Sequence, residues 1–176
     1  MQPVQGLDSM PAIHQLEQTP IILEKMLHSA APAILQWKPA AGRWSVSEVL
    51  AHLVDAEQMF SERARLMVEQ KSPQLTEYDQ EAAYAAGKYS TGTAKEHLHK
   101  FSHERDRAVS MLRYLPAAAL ARNAQHPALG TFTLSELLNE WAFHDLGHIR
   151  QIAEIYRTAA FYTNSGPFQR YYNPKP

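Results

Sequence analysis

The sequence predicts an all-α protein, a four-helix bundle with a long crossover connection between its second and third helices. Two observations support this fold class. Apolar residues recur at helical spacing in four long segments, and the stretches between them carry the proline and glycine residues typical of connections. A chain of 176 residues is long enough to bury one sizeable core. We therefore expect residues 1–176 to form a single helical-bundle domain.

The first two helices are predicted from apolar spacing and from a helix-start motif. The first covers residues 12–29, with a kink expected at Pro20, and a short helical turn follows at Pro32. The second begins after Ser45, because Ser45 and Glu48 are spaced as a capping box. In this motif the hydroxyl and the carboxylate each accept a hydrogen bond from a free backbone N–H group. One apolar face then continues for about 25 residues.

The second half of the chain is predicted to contain a crossover and two more helices. Residues 71–92 show only weak periodicity and form a longer segment than the usual connection between packed helices, so we interpret them as the crossover. The third helix is predicted over residues 93–115. The fourth begins at a second capping box, formed by Thr133 and Glu136, and the residues before it are expected to form a loop.

The composition excludes several function classes. With 17 basic and 18 acidic residues, the chain has no excess of positive charge for binding nucleic acid. It contains no cysteine, which rules out disulfides, thiolate metal ligands and a cysteine nucleophile and fits a reducing cytoplasm. Residues 1–10 carry no export signal, and no apolar run approaches the ~18 residues of a membrane span. We expect a cytoplasmic protein that binds neither membranes nor nucleic acid.

Three histidines stand at positions where the helical stripes predict apolar residues. His144 and His148 continue the stripe of the fourth helix, and His52 lies at the border of the apolar face of the second. Side chains four residues apart lie roughly 6 Å from each other on one helix face, so both rings of the pair can reach one cation. Buried imidazoles without partners are costly, whereas a metal ion binds the neutral ring. Hydrogen-bonded core histidines are the alternative, because the sequence alone does not show that the two helices converge.

Two polar residues accompany these histidines at helical spacing. Asp55 follows His52 by three residues, and Gln151 follows His148 by three. Either side chain could orient an imidazole ring. Asp55 could instead act as a general base or be a solvent-facing charge.

Three other histidines are weaker candidates for a site. His99 and His103 are also four residues apart, but they lie among charged residues away from the apolar face of the third helix, so we expect a solvated surface there. His126 could lie over the metal site or could satisfy the backbone of its own loop, and we favour the second interpretation.

Two long motifs resemble the DinB-like superfamily of four-helix-bundle metalloenzymes. WSVSEVLAHLVDAE matches the family's tryptophan-serine opening followed by His-Leu, and LGTFTLSELLNEWAFHDLGHIRQI matches its Gly-Thr-Leu lead into His-x-x-x-His and Gln-Ile. The closing GPFQRYY is similar to the family's tail, so the resemblance covers nearly the whole chain. It implies a bundle with a long crossover and a divalent metal ion bound by His52, His144 and His148 beside a loop-bordered pocket.

The resemblance also implies a choice of reactions. Characterised relatives include S-transferases and isomerases that use low-molecular-weight thiols, and many members are described only as hydrolases. The leading prediction is a metal-dependent enzyme in which Zn, or alternatively Ni, Fe or Cu, activates a small thiol for transfer to an electrophilic small-molecule substrate. Hydrolysis by metal-bound hydroxide is the first alternative, and a non-catalytic metal-binding stress-response module is the second. An apolar bundle face or the aromatic tail could support a homodimer.

Overall fold

A computed structural model describes residues 7–174 of the chain as a four-helix bundle, which confirms the predicted fold class. Each of the four long helices packs against two of the others, with α3 and α1 both lying between α5 and α6. The helices are α1 (Pro11–Leu27), α2 (Pro32–Gln36), α3 (Val46–Glu69), α4 (Gln80–Ala85), α5 (Ala94–Arg113) and α6 (Leu134–Ala160), of which α2 and α4 are short. Residues 1–6, which belong to the stretch expected to carry no export signal, and residues 175–176 lie outside the described residues.

Capping boxes start three of the four long helices. The predicted boxes at Ser45 and Thr133 both form: the backbone N–H of Ser45 donates to Glu48 Oε2 at 2.8 Å, and that of Thr133 donates to Glu136 Oε2 at 2.7 Å. The sequence prediction missed a third box, in which Thr93 starts α5. Each such cap contributes about 1 kcal/mol to stability. These caps therefore explain why the predicted starts of α3 and α6 agree with the structure.

The connection on either side of α5 is more regular than the sequence predicts. The crossover between α3 and α5 contains the short helix α4, and the expected loop before α6 forms a hairpin of strands β1 (Asn123–His126) and β2 (Gly130–Thr133). Gly130 lies where the hairpin turns and has a φ of 72°, a backbone conformation that residues other than glycine rarely adopt. The crossover docks on this hairpin, since the Gln125 N–H donates to the Pro73 carbonyl at 2.9 Å and the Leu75 N–H donates to the Gln125 carbonyl at 2.8 Å.

A layer of buried polar residues crosses the bundle at mid-height. It separates two apolar clusters, one beside the first turns of α3 and the other beside its second half. Each long helix contributes to this layer, and the buried or half-buried members are Thr19, His52, Glu57, Arg105, His144, Asp145 and His148. Polar groups placed between two apolar clusters must satisfy one another or a ligand. The layer is therefore the place in the bundle where a functional site is expected.

Within residues 7–174, none of the helices combines the length and the apolar character that crossing a lipid bilayer requires.

Candidate metal centre

The three histidines singled out by their spacing come together in the polar layer. His52 from α3 and the pair His144 and His148 from α6 each offer a ring nitrogen, and these nitrogens all lie within 4.8 Å of one another. His144 Nε2 lies 3.2 Å from His52 Nε2 and 3.2 Å from His148 Nε2. Among the residues that the structure describes, this is the one group of three or more metal-ligating side chains.

A simple two-centre hydrogen bond accounts for only one of the two ring contacts that His144 makes. A neutral imidazole nitrogen carries either one proton or one lone pair, yet His144 Nε2 faces two other ring nitrogens at the same distance. A cation accepts all three lone pairs at once. Zn–N bonds of about 2.0–2.1 Å in a tetrahedral site separate the ligand nitrogens by about 3.3–3.4 Å, close to the two 3.2 Å separations among these rings. The residues present therefore fit a divalent metal ion.

Neighbouring groups fix the tautomers of two of the rings. His148 Nδ1 lies 2.8 Å from Gln151 Oε1, and an amide oxygen only accepts, so the proton of His148 is on Nδ1 and the lone pair is on Nε2. His52 Nδ1 lies 3.3 Å from the hydroxyl of Tyr78, which donates its own proton to Asp55 Oδ2 at 3.0 Å. The Tyr78 oxygen must then accept from His52 Nδ1–H. Both rings consequently point the lone pair of Nε2 at the shared centre.

Burial keeps the three imidazoles neutral. It lowers the pKa of His52 to about 3, with a further contribution from His148, and lowers the pKa of His144 to about 3, with further contributions from His148 and His52. Burial also lowers the pKa of His148. His144 Nδ1 is buried and has no hydrogen-bond partner among residues 7–174. Neutral rings with available lone pairs are the protonation state that metal binding requires.

Asp55 contacts the site through Tyr78 rather than directly. Its carboxylate accepts hydrogen bonds from Tyr78, Tyr89 and Lys88, the first two at 3.0 Å. Burial alone would raise the pKa of Asp55, but the hydrogen bonds from Lys88, Tyr89 and Tyr78 hold it below its ordinary value. Burial raises the pKa of Tyr89 to about 12 and raises that of Tyr78, so both hydroxyls stay protonated donors. Asp55 is thus a carboxylate that three donors engage, and its side chain is only 11% exposed.

Aromatic rings surround the histidines on two sides. Trp44 packs edge-on against His52 with ring centroids 5.2 Å apart, and Phe60 packs edge-on against His144 at 5.5 Å. Phe60 also stacks on Trp141, which is buried in the core. Phe143, by contrast, is 73% exposed on the outer face of α6. These rings lower the local dielectric around the imidazoles and limit their access to water.

A buried ion cluster lies beside the histidines in the same layer, and the sequence analysis missed it. Arg105 of α5 donates from Nη2 to Glu57 Oε2 at 2.7 Å and from Nη1 to Asp145 Oδ2 at 2.6 Å. It also donates to the Leu16 carbonyl at 2.7 Å, and the Trp141 indole N–H donates to Glu57 Oε2 at 3.2 Å. Burial raises the pKa of Glu57 despite the opposing effect of Arg105. The sequence signal for this cluster is a charged residue at a position where the apolar pattern of α3, α5 or α6 predicts a core residue. The same kind of signal marked the three histidines.

The remaining histidines lie outside the cluster. His99 and His103 are exposed, as predicted. His126 ends β1 and lies against its own loop and Arg63 rather than over the three imidazoles.

Comparisons with known proteins agree with this architecture. A family model described as "DinB superfamily" matches residues 15–152, a span that includes all three histidines. The chain is 24% identical over 148 residues to "Putative metal-dependent hydrolase OB0782" of Oceanobacillus iheyensis, covering 81% of this chain and 83% of that protein. It is 25% identical over 146 residues to "Putative metal-dependent hydrolase YfiT" of Bacillus subtilis, covering 82% of each.

A solved structure matches in three dimensions as well. YfiT from Bacillus subtilis, described as "a probable metal-dependent hydrolase with an unusual four-helix bundle topology", superposes with a TM-score of 0.76 at 25% sequence identity, covering 84% of this chain and 85% of that chain. The matching family model covers most of the chain, including all of α3 and the part of α6 that carries His144 and His148. The chain therefore belongs to the DinB superfamily.

Proposed function

We propose that this protein is a divalent-metal-dependent enzyme acting on a small molecule, with His52, His144 and His148 as the metal ligands and Zn as the preferred ion. The observation that carries the proposal is the convergence of three neutral imidazoles, two of them held by Gln151 and Tyr78 in the tautomer that points a lone pair inward. Three protein ligands leave a position for substrate, as in catalytic rather than structural zinc sites.

A divalent ion at this position would act as a Lewis acid and would lower the pKa of a water or thiol that binds it. The protein's own residues would do the positioning. Gln151 and Tyr78 orient the rings of His148 and His52, and Asp55 fixes Tyr78 in turn. Trp44 and Phe60 shield the histidines from bulk water.

Transfer of a small thiol is the reaction that the site supports best. Asp55, the carboxylate that the sequence offers as a general base, is saturated by three donors and separated from His52 by Tyr78. A thiol needs to lose only one proton to become a nucleophile, and a divalent ion would lower the thiol pKa enough for that proton to pass to solvent near neutral pH. A metal-bound water would likewise lose one proton to become hydroxide, but hydrolysis also has to move a proton to the leaving group when the bond breaks, a transfer that a free acid–base group assists.

Hydrolysis is the second candidate, because the similar proteins of Oceanobacillus iheyensis and Bacillus subtilis carry the name of metal-dependent hydrolases. A metal-binding module without catalysis would be distinguished from both by the absence of turnover.

The metal site is tested by elemental analysis of the purified protein. We expect close to stoichiometric divalent metal in the wild type and its loss in His52→Ala and in His148→Ala. His99→Ala removes an exposed imidazole from α5 and serves as the matched control that keeps the metal. Full metal retention by both site variants would refute the proposed ligands.

The reaction is tested by comparing two assays on metal-loaded and metal-free protein. In the first, a panel of small thiols reacts with monochlorobimane. In the second, p-nitrophenyl esters are hydrolysed without thiol. Metal-dependent consumption of one thiol supports transfer, and metal-dependent ester cleavage alone supports hydrolysis. If metal changes neither rate, the protein is not an enzyme of either class.

A further inference from the structure

Arg63 and His126 meet at the surface of the bundle, where the crossover covers α3. The Arg63 guanidinium donates from Nη2 to the carbonyl of Thr76 at 2.9 Å, and the same nitrogen lies 3.3 Å from His126 Nε2. His126 is only 9% exposed at the end of β1, whereas the contact between Arg63 and Thr76 is open to solvent. The pair therefore has one buried member and one accessible member.

Hydrogen-bond donors face both ring nitrogens of His126, although only one of them can accept. The backbone N–H groups of Ala128 and Leu129 point at its Nδ1, at 3.3 and 3.4 Å, while Arg63 points at its Nε2. A neutral imidazole has one donor nitrogen and one acceptor nitrogen, and a guanidinium has donors only. In either tautomer, one N–H of the ring faces another N–H. The N–H group of the His126 ring therefore has no hydrogen-bond acceptor among residues 7–174.

The charge of Arg63 is also without an opposite charge. Arg65, Arg105 and Arg157 each pair with a carboxylate, but within residues 7–174 the Arg63 guanidinium has hydrogen-bond partners only in the Thr76 carbonyl and His126. Half-burial of an unpaired guanidinium is unfavourable, because it loses water without gaining a counter-ion. An anion beside it would supply both the missing acceptor and the missing charge.

This pair lies on the same side of α3 as the three histidines. Arg63 follows His52 by eleven residues, about three helical turns and roughly 16 Å along the axis, and helical side chains tilt toward the N-terminus, here toward His52. Phe60, one turn before Arg63, contacts His144. Thr76 precedes by two residues Tyr78, whose hydroxyl contacts His52.

We propose that Arg63 and His126 form an anion subsite that binds a carboxylate or phosphate group, with the anion accepting hydrogen bonds from Arg63 Nη2 and from His126 Nε2–H. With the backbone N–H groups of Ala128 and Leu129 on Nδ1, the anion completes the hydrogen bonds of the ring. The subsite selects acidic, extended small molecules for the metal centre. This role in substrate selection rests on the proposed function, whereas the binding of the anion does not.

The binding is tested on metal-loaded protein with inorganic phosphate and, separately, with succinate. NMR of the imidazole nitrogens follows His126, whose Nε2 we expect to shift on saturation by at least one of the two anions. In Arg63→Gln the affinity should fall tenfold or more. Arg65→Gln is the matched control, because Arg65 is on the same helix but is exposed and paired with Glu62 and Glu69. A response to phosphate alone, or to succinate alone, identifies the anion class and supports the subsite.

Three results would overturn the subsite: no shift of His126 with either anion, equal affinity in Arg63→Gln and wild type, or an equal loss in Arg65→Gln. Circular dichroism of each variant confirms that it is folded. The same titration on His148→Ala separates this proposal from the proposed function. In that variant the metal content tests the proposed ligands and the titration tests the subsite, so retained metal together with anion binding refutes the ligands alone. If the subsite is wrong, metal content is unchanged in Arg63→Gln while no anion binds to the wild type.

Discussion

Arg105 donates a hydrogen bond to the one carbonyl of α1 that Pro20 leaves without a helical partner. In an α-helix the N–H of residue 20 would donate to the carbonyl of Leu16, but proline has no N–H. Arg105 Nη1 fills that position at 2.7 Å while it also binds Glu57 and Asp145. A helix-disfavouring residue in α1 thus creates an acceptor for a buried charge on α5, and α1 continues through Pro20 from Pro11 to Leu27.

We expect Arg105→Met to lower the free energy of unfolding by about 3–5 kcal/mol, because it leaves two buried carboxylates without their cation. Urea denaturation followed by circular dichroism measures the effect. Arg107→Met, an exposed arginine on the same helix, should cost far less. Equal losses in the two variants would show that the cluster adds nothing to stability.

Glu57 should make stability depend on pH above the ordinary carboxyl range. Burial raises its pKa above 4.5, so the folded state holds the proton more tightly than the unfolded state does. The contribution of Glu57 protonation to the free energy of unfolding is fully present below pH 4.5 and is lost as the pH rises through the raised pKa of the folded state. Glu57→Gln, which cannot ionise, should lack this loss in denaturation curves measured from pH 4.5 upward, whereas the exposed Glu62→Gln should follow the wild type.

Burial of the histidines predicts a second pH dependence, in the metal-free protein. The folded pKa of His144 is about 3, below its ordinary 6.5, so its contribution to stability is present above pH 6.5 and is lost as the pH falls toward 3. The unfolding free energy of metal-free His144→Leu should therefore fall less steeply with acid than that of metal-free wild type. Parallel curves would show that the ring is not buried as a neutral group.

Gln151 should tune metal affinity through His148. Gln151→Ala removes the acceptor of His148 Nδ1–H, and we expect metal affinity to fall 10–100-fold, as measured by competition with a chelator. Gln151→Glu keeps an acceptor oxygen and should retain the affinity. Arg150→Ala, the exposed neighbour, is the control. Unchanged affinity in Gln151→Ala would mean that this hydrogen bond does not position the ligand.

Tyr78 should act on His52 in the same way, and Tyr89 should not. Both hydroxyls lie 3.0 Å from Asp55, but only Tyr78 is within hydrogen-bond distance of His52 Nδ1. Tyr78→Phe should therefore lower metal affinity 10–100-fold, whereas Tyr89→Phe should have a much smaller effect. If the two variants lose affinity equally, the crossover as a whole, rather than the hydroxyl on His52, supports the site.

The long helices and the three histidines were predictable because both depend on local spacing. Capping boxes set the starts of α3 and α6, and the helical period places His144 and His148 on one face. The convergence of His52 with that pair depends on how α3 packs against α6, which no local pattern specifies. The family resemblance supplied this step, and the structure confirms that the nitrogens meet. That they hold a metal stays a prediction.

The residues missed by the sequence analysis are those whose role depends on contacts far along the chain. Arg105 occupies an apolar position of α5, but it stands in a charged stretch whose neighbouring lysines and histidines are exposed, and this charge masked the signal. Tyr78 and Tyr89 lie in the weakly periodic crossover, whose position is set by docking on β1. The strands of that hairpin have four residues each, too few to show alternation. In each case long-range packing, rather than local propensity, decides the structure.

The buried ion cluster also determines how the helices are aligned along the bundle axis. A slide of α5 by one turn, about 5.4 Å, would move Arg105 into an apolar cluster and leave the buried carboxylates of Glu57 and Asp145 without a cation. Glu57 shares α3 with His52, and Asp145 directly follows His144 on α6. The Arg105 guanidinium holds these two carboxylates at one level along the bundle axis, and it therefore also sets the level at which the imidazoles of α3 and α6 meet. A variant without this guanidinium would keep all three histidines but lose the alignment that brings them together.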